Sequence, residues 1–267
     1  MKTRYSGLDL HCQMQELKSL IGMRINKIYD IDKKTYLLRL QRTEEKAVIL
    51  FESGSRIHST NSVWPKSDAP SGFTMKLRKH LKNKRLENIY QFKTDRVAVL
   101  QFGTNEVTNY IIIEMYDRGN IILTDHEHVI LAVLRPRLND ENNKVIVRET
   151  YPVSNEGPIE KSEEITIEKI REIIEKANPT DNLKKLFVPY CPPGPALLEH
   201  LFLSKGIVIN KKKRDFDENI ELIIADVLKE AQTFLANNQP KGFLIQKIEK
   251  SANGSEIRTN VEFHPFK

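Results

Sequence analysis

Five short apolar segments lie between residues 86 and 134, and the turns between them are only a few residues long. This spacing limits the topology more than any other feature of the chain, because parallel strands need crossover connections of about a dozen residues or more. We therefore predict an antiparallel meander with strands at about 86–92, 96–102, 107–115, 119–124 and 129–134. Three earlier patterns predict further strands near 24–29, 36–40 and 47–51.

Helical patterns flank these strands and place the chain in the α+β class. Ser6 and Asp9 have the spacing of a capping box, which predicts a helix over about 7–20. Ser71 is placed to cap a second helix whose apolar residues at 73, 77 and 81 share one face. Further helices are predicted near 165–174, 183–186, 194–203 and 220–231, followed by strands near 242–249 and 257–263.

The composition changes near residue 150, where a polar segment with two prolines begins. Such a segment is typical of a linker between domains. The predicted organisation is a β-rich domain over 1–150, a linker over 151–164, and a helical domain over 165–267 that includes the last two strands.

Charge and cysteine content narrow the functional classes. With only two cysteines in 267 residues, the chain can form neither a disulfide framework nor a four-cysteine zinc site, and we predict a reduced, intracellular protein. No apolar run is long enough to predict a membrane span or a secretory signal. The net charge is +6, and residues 1–150 hold 25 Lys and Arg against 18 Asp and Glu. This asymmetry favours an anionic partner for the first domain.

One basic segment stands out within that domain. Residues 76–85 contain six cations and no acid: Lys76, Arg78, Lys79, Lys82, Lys84 and Arg85. On a helix, Leu77 and Leu81 would face inward and most of the cations outward, an arrangement suited to the phosphates of a nucleic-acid backbone. A merely solvated surface is about equally compatible with the pattern, although like charges three and four residues apart cost helix stability.

Two Asp-Arg pairs begin apolar strands. Asp95 can orient Arg96 toward a phosphate or a base, or form part of a turn, and the residues alone leave both readings open. For Asp117 and Arg118 we predict a turn. Asp125 to His128 is likewise predicted to be a hairpin turn and not a metal site, because no other histidine or cysteine pair completes the ligand set.

Motifs of catalysis and nucleotide hydrolysis are missing from the sequence. Neither G-x-x-x-x-G-K-S/T, G-x-G-x-x-G, G-x-S-x-G nor H-E-x-x-H occurs, so no enzyme, cofactor or metal is predicted. In the second half, Gly194 and Pro195 predict a helix start, with Pro195 in the first turn. Such a helix–turn–helix corner can offer backbone N–H groups to a phosphate, but an ordinary structural corner is commoner.

Motifs spread from the first residues to the last resemble the NFACT family. They include residues 1–4, 8–9, 22–30, 52–58, 70–73, 76–82, 95–96, 101–103, 114, 119–123, 194–197 and 262–266. The resemblance is to the N-terminal part of eukaryotic members. It implies a fold like the N-terminal domain of formamidopyrimidine-type DNA glycosylases, followed by a helix-two-turn-helix module with Gly194 and Pro195 in its turn.

The resemblance also implies a function. NFACT proteins act in ribosome-associated quality control: they bind a large ribosomal subunit that still holds peptidyl-tRNA, favour recruitment of a Listerin-type ubiquitin ligase, and bring in alanyl-tRNA, and in some members threonyl-tRNA, to extend the stalled chain. Residues that match the family's tRNA-handling positions are Asp9, Asp95 and Arg96. Full-length members continue into a coiled coil and further domains, so this chain is expected to be a fragment and the ligase contacts to lie outside it.

Two alternative functions belong to other classes of protein. A glycosylase-like enzyme needs an N-terminal proline amine, whereas Met1 is followed here by Lys2 and Thr3. A DNA-binding module that resembles a glycosylase but lacks catalysis is the related possibility. A protein-interaction scaffold for nuclear export is the other alternative. We predict a non-catalytic RNA-binding factor, cytoplasmic with a nuclear pool, and no membrane partner.

Overall fold

The computed structural model describes residues 2–92, 95–138, 144–152, 165–191, 194–236, 241–250 and 256–266. The chain divides into two compact units: the first comprises residues 1–159 and 243–264, and the second residues 160–242 and 265–267. We describe each unit by itself.

The first unit opens with helix α1 (Gly7–Leu17), which continues as a 3-10 turn over Lys18–Leu20. A four-stranded antiparallel sheet follows, in the order β1 (Arg24–Asp30), β2 (Thr35–Arg42), β3 (Glu45–Glu52) and β4 (Arg56–Ser59). The predicted first helix, its capping box and three of these strands are confirmed. β4 was not predicted because its four residues, three of them polar, give too short a pattern.

Helix α2 (Gly72–Leu81) begins at Ser71, whose side chain caps the backbone N–H of Thr74 at 3.1 Å, as predicted. Asp30, buried at the end of β1, accepts hydrogen bonds from the Ser71 N–H at 3.1 Å and from the Thr74 hydroxyl at 2.9 Å. Because one carboxylate holds both groups, the start of α2 is fixed to the end of β1.

The predicted meander is confirmed as a five-stranded antiparallel sheet whose strands pair in chain order. Its strands are β5 (Leu86–Gln91), β6 (Val97–Phe102), β7 (Asn109–Glu114), β8 (Asn120–Thr124) and β9 (Ile130–Val133). One face of this sheet shares a core with α1, α2 and the first sheet, in which Leu100, Ile111 and Leu123 are fully buried. The other face holds a second cluster around Val99, Ile112 and Ile122.

Two late strands, β10 (Phe243–Lys250) and β11 (Glu256–His264), form a separate antiparallel hairpin. We had predicted these strands as part of the second domain, but the hairpin belongs to the first compact unit. The ring of Phe263 on β11 packs edge-on against that of Tyr5 at 5.9 Å, and the ammonium of Lys2 lies over the Phe263 ring at 4.9 Å. Contacts between the two ends of a chain leave no periodicity in the sequence.

Tyr151 marks a further difference from the predicted boundaries. It is buried in the second cluster, and its hydroxyl donates to Oε1 of Glu114 at 3.0 Å. The first unit therefore extends past residue 150, and the rest of the predicted linker, 153–164, lies outside the described residues.

The described part of the second unit is helical, as predicted. Its helices are α3 (Ile167–Lys176), α4 (Leu183–Phe187), α5 (Pro195–Ser204) and α6 (Ile220–Ala236). Gly194 has a φ of 92° and Pro195 occupies the first turn of α5, which confirms the predicted helix start. Among the described residues, no helix combines the length and apolar character needed to cross a membrane.

Candidate nucleic-acid interface

Asp9 is part of the internal structure of α1. Its Oδ2 accepts from the backbone N–H and the hydroxyl of Ser6, each at 2.7 Å, and the Asp9 N–H donates to the Ser6 hydroxyl at 3.2 Å. Lys2 forms an ion pair with the same carboxylate oxygen. With its side chain 4% exposed, Asp9 caps the helix, as predicted.

The carboxylate of Asp9 also raises the pKa values of its neighbours. Burial is the main cause of the shift of the Tyr5 pKa to about 12, and Asp9 is the second. The Cys12 pKa is raised to about 12 by the same two causes in the same order. Both groups therefore stay protonated at neutral pH, and Cys12 is not a reactive thiolate.

Asp95 and Arg96 lie just before β6, in the turn that follows β5. The sequence leaves two roles open for Asp95, and the structure shows the turn: Oδ1 of Asp95 accepts from the backbone N–H of Arg96 at 2.7 Å. Asp95 thus stabilises the turn. The Arg96 side chain has no ion-pair or hydrogen-bond partner among the described residues and is partly exposed. Its guanidinium is available to an external acceptor.

Gln91 brings these two segments together. Its Nε2 donates to the backbone oxygen of Gly7 at 3.0 Å and to that of Asp95 at 2.7 Å. Because Gln91 is buried at the end of β5, it links the first turn of α1 to the turn that carries Arg96. The structure therefore brings together the backbone segments of Asp9, Asp95 and Arg96. Sequence reasoning missed Gln91, since a glutamine at a strand end carries no distinctive signal.

The basic segment is only partly a helix. α2 ends at Leu81, and Asn83 adopts a positive φ of 63°, so Lys82, Lys84 and Arg85 lie in the turn before β5 and not on the helix as predicted. This turn directly follows the last turn of α2, so the six cations still lie within one continuous stretch of backbone.

Three of the six cations have partners within the chain. The Arg78 guanidinium donates to the backbone oxygen of Ile28 at 2.7 and 2.9 Å, and Arg85 pairs with Glu87 at 2.7 Å. Lys84 donates to Oδ1 of Asn109 at 2.5 Å and to the backbone oxygen of Val107. These contacts tie the segment to three strands and stabilise its conformation.

Among the described residues, the other three cations have no ion-pair or hydrogen-bond partner: Lys76, Lys79 and Lys82 are exposed. We name them the α2 lysines. The pKa of His80 is lowered by its partial burial and by the charges of Lys79, Lys84 and Lys76, in that order. This shift reports the local positive potential that a polyanion would neutralise.

A concave surface adjoins the α2 lysines on each side of Lys82. One cavity of about 480 Å³ lies between β1 and α2 and is lined by Tyr29 and Arg78; the Lys66 ammonium lies 4.5 Å from the centre of the Tyr29 ring. The other, of about 460 Å³, includes Arg24 and Arg85. Tyr29 is half-buried, and an arginine beside an aromatic ring is an arrangement common in proteins that bind single-stranded nucleic acid.

A basic cavity larger than these two was missed by sequence reasoning. It has a volume of about 1000 Å³ and lies where the N-terminal segment meets the β3–β4 and β7–β8 turns. We call it the N-terminal cavity. Its cations are Lys2, Arg4, Lys34, Arg56, Arg118 and Arg135. The segments 1–4 and 52–58 stood out in the sequence, but nothing in one sequence shows that they meet.

The turn predictions at the other Asp-rich segments are confirmed. At Asp117 to Asn120, Asp117 has a φ of 51° and the Gly119 N–H donates to the Tyr116 oxygen at 2.8 Å. At the β8–β9 connection, Oδ1 of Asp125 accepts from the backbone N–H groups of Glu127 and Val129, at 3.0 and 2.9 Å. These two hydrogen bonds from its carboxylate to the backbone show that Asp125 stabilises the turn.

A family model and several known proteins match nearly the whole chain. Residues 6–262 match the family model for NFACT N-terminal and middle domains. The human ribosome quality control complex subunit NEMF is 43% identical over 279 residues, covering 100% of this chain and 26% of that protein. Its Drosophila melanogaster homologue is 40% identical over 308 residues, covering 100% and 31%. The chain thus spans between a quarter and a third of the length of these relatives.

More distant similarities extend to fungi and to bacterial structures. The ribosome quality control complex subunit 2 of Saccharomyces cerevisiae is 38% identical over 174 residues, covering 64% of this chain and 17% of that protein. Among solved structures, the N-terminal part of a fibronectin/fibrinogen-binding protein from Streptococcus suis has a TM-score of 0.61 at 22% identity, covering 97% of this chain and 95% of that one. At that identity the likeness concerns the fold, and the match of residues 6–262 to the family model establishes that the chain belongs to the NFACT family.

Proposed function

We propose that this chain is the RNA-binding N-terminal part of a ribosome quality control factor, and that it binds tRNA and the large ribosomal subunit. One observation supports the proposal most. The α2 lysines and Arg96 have no side-chain partner among the described residues, and they lie on a chain that matches named subunits of the ribosome quality control complex over 100% of its length. Unpaired cations on a surface release counterions when they meet phosphates, which is the main source of affinity for RNA.

The finer steps of the function are part of the same proposal. The factor would recruit alanyl-tRNA, or threonyl-tRNA, to a large subunit with peptidyl-tRNA, so that the stalled chain gains an alanine-rich tail, and it would support recruitment of a Listerin-type ubiquitin ligase. It would perform no bond chemistry of its own. Holding two reactants in place can itself accelerate a reaction, and peptide-bond formation would remain with the ribosome.

Roles within the chain follow from this proposal. Arg96 would contact tRNA directly, while Asp95 and the buried Asp9 would position it through the turn and the helix that Gln91 links. The fold of the first unit would be that of the formamidopyrimidine-type glycosylase N-terminal domain, and the second unit a helix-two-turn-helix module. We assign the corner at Gly194 and Pro195 a mainly structural role there.

Apolar side chains on the β10–β11 hairpin favour the alternative of a protein-interaction scaffold. Those more than 40% exposed are Leu244, Ile245, Ile248, Ile257 and Val261. Exposed apolar side chains gathered on one element are common at protein–protein interfaces. A scaffold of this kind, for nuclear export, would bind its partner regardless of the charge of the α2 lysines.

Reversal of two α2 lysines tests the proposal against the scaffold. The double variant Lys79→Glu/Lys82→Glu should bind labelled tRNA more weakly, and the salt dependence of its affinity should flatten, by about one unit of slope for each lost phosphate contact. Lys46→Glu/Lys144→Glu, at two exposed lysines without described partners, is the matched control. Equal affinity and slope in both folded variants would reject RNA binding through this surface.

A further inference from the structure

The N-terminal cavity carries an excess of positive charge that its own acids do not balance. Six Lys and Arg residues line it, against the carboxylates of Glu52 and Asp117. Its volume of about 1000 Å³ lies at the upper end of the range found for ligand pockets, about 300–1,000 Å³.

Ion pairing within the chain leaves half of these cations uncompensated. Lys34 and Arg56 share Glu52, at 2.6 and 3.1 Å, and Lys2 pairs with Asp9. Arg4 and Arg118 are exposed, and their guanidinium groups have no partner among the described residues. Arg135 donates to the Ser53 hydroxyl at 2.5 Å and to the Gly119 backbone oxygen at 3.1 Å, and neither acceptor carries a charge.

The hydrogen bonds of Arg135 hold its guanidinium in place at the base of the cavity. Beneath it, the turns at Gly54 and Gly119 contact each other through their backbones. A pre-positioned guanidinium loses little entropy on binding, and its planar set of donors matches the oxygens of a phosphate. The exposed guanidinium groups of Arg4 and Arg118, which have no partner in the described part of the chain, can then contact the same phosphate.

One wall of the cavity is aromatic. Tyr5 and Phe263 both line it, with their rings 5.9 Å apart and at 71° to each other. Burial keeps the Tyr5 hydroxyl protonated, so the wall adds no negative charge. An aromatic wall next to arginines suits a nucleotide, whose base is planar and whose phosphate is anionic, better than it suits an acidic peptide.

We propose that the N-terminal cavity binds one nucleotide of an RNA strand, with the phosphate on Arg4, Arg118 and Arg135 and the base against Tyr5 and Phe263. Neither the α2 lysines nor Arg96 line this cavity, and the inference rests on the proposed function in that tRNA is the natural source of the strand. It makes the N-terminal segment a part of the RNA surface.

The test compares Arg4→Gln/Arg118→Gln with Lys46→Gln/Lys144→Gln, which removes the same charge from exposed lysines that do not line the cavity. Both are titrated with labelled tRNA and with pentauridylate between 50 and 200 mM salt. The arginine variant should lose about ten- to a hundredfold in affinity near 100 mM salt, with its slope reduced by about 2, while the control stays within about twofold of wild type. Thermal unfolding checks that each variant is folded.

Two further variants address the chemistry of recognition. Arg4→Lys/Arg118→Lys keeps the charge but not the paired donors, so it should recover the salt slope and only part of the affinity. Phe263→Ala should weaken pentauridylate binding without altering the slope, because a stacked base contributes no counterion release.

Binding of both probes by the arginine variant at the level of the lysine control would overturn the inference. In competition with labelled pentauridylate, pentaglutamate is compared with unlabelled pentauridylate. If pentaglutamate displaces the label at the lower concentration, the inference is overturned in favour of an acidic protein partner. If wild type fails to bind tRNA, the proposed function fails, and pentauridylate with the same variants still decides whether the cavity binds a nucleotide.

Discussion

The backbones of Gly54 and Gly119 contact each other so closely that a Cβ atom on Gly119 would lie 1.9 Å from the Gly54 nitrogen. The two residues have φ values of 77° and 67°, so each also adopts a conformation that side chains disfavour. This contact joins the β3–β4 turn of one sheet to the β7–β8 turn of the other, and Gly54 also lines the N-terminal cavity.

Gly119→Ala should therefore destabilise the protein strongly. The left-handed conformation costs about 1–2 kcal/mol for a residue with a Cβ, and overpacking adds about 1–3 kcal/mol. Gly206→Ala is the matched control, since Gly206 has a φ of 75° but no atom within 4 Å of its added Cβ, so only the conformational cost applies. Denaturant unfolding of both variants measures the difference, and equal losses would show that the two turns separate easily.

The same contact shows which parts of the molecule the sequence could predict. The α1 cap and the five-stranded meander were predictable because residues within a few positions of each other determine them. The N-terminal cavity was not, since Arg4, Gly54, Arg118 and Arg135 come from four distant segments that only the paired sheets bring together. The assignment of the β10–β11 hairpin failed for the same reason: it follows the helices along the chain but belongs with the first unit.

The turn before β6 separates a contact role from a structural role. Arg96→Gln should weaken tRNA binding with little effect on stability, because the Arg96 side chain has no described partner. Asp95→Asn should have a smaller effect, since an amide oxygen can still accept from the Arg96 N–H, as the carboxylate does at 2.7 Å. Affinity for labelled tRNA and the unfolding midpoint are measured for each. Loss of stability in Arg96→Gln, with affinity unchanged, would contradict the assignment.

Asp9 is expected to act on tRNA through the position of α1. Asp9→Ala removes the capping box and the partner of Lys2, and should cost about 1–2 kcal/mol of stability. If Asp9 positions the segment that Gln91 links to Asp95, tRNA affinity should fall as well. Ser6→Ala is the control because it weakens the same cap but leaves the carboxylate and Lys2 in place. Affinity that falls equally in both variants would assign Asp9 a capping role alone.

The lowered pKa of His80 leads us to expect that acid decreases the stability of the protein but increases its affinity for RNA. Its pKa in the folded protein lies below 6.5 because of partial burial and of the charges of Lys79, Lys84 and Lys76. The folded state thus binds fewer protons than the unfolded state near this pKa, so His80 contributes stability above pH 6.5 that is lost as the pH falls through the window below it.

RNA phosphates near the α2 lysines would lower the positive potential at His80 and raise its pKa again. Binding then takes up a proton, so tRNA affinity should increase as the pH falls from 7.5 to 5.5, whereas the stability that His80 contributes decreases in the lower part of that range. His80→Gln should lose the part of both dependences that His80 contributes, and the difference between wild type and this variant removes the contribution of the other histidines. Anisotropy titrations at constant salt measure the effect. If the tRNA affinities of wild type and His80→Gln change equally with pH, the bound RNA lies away from this helix.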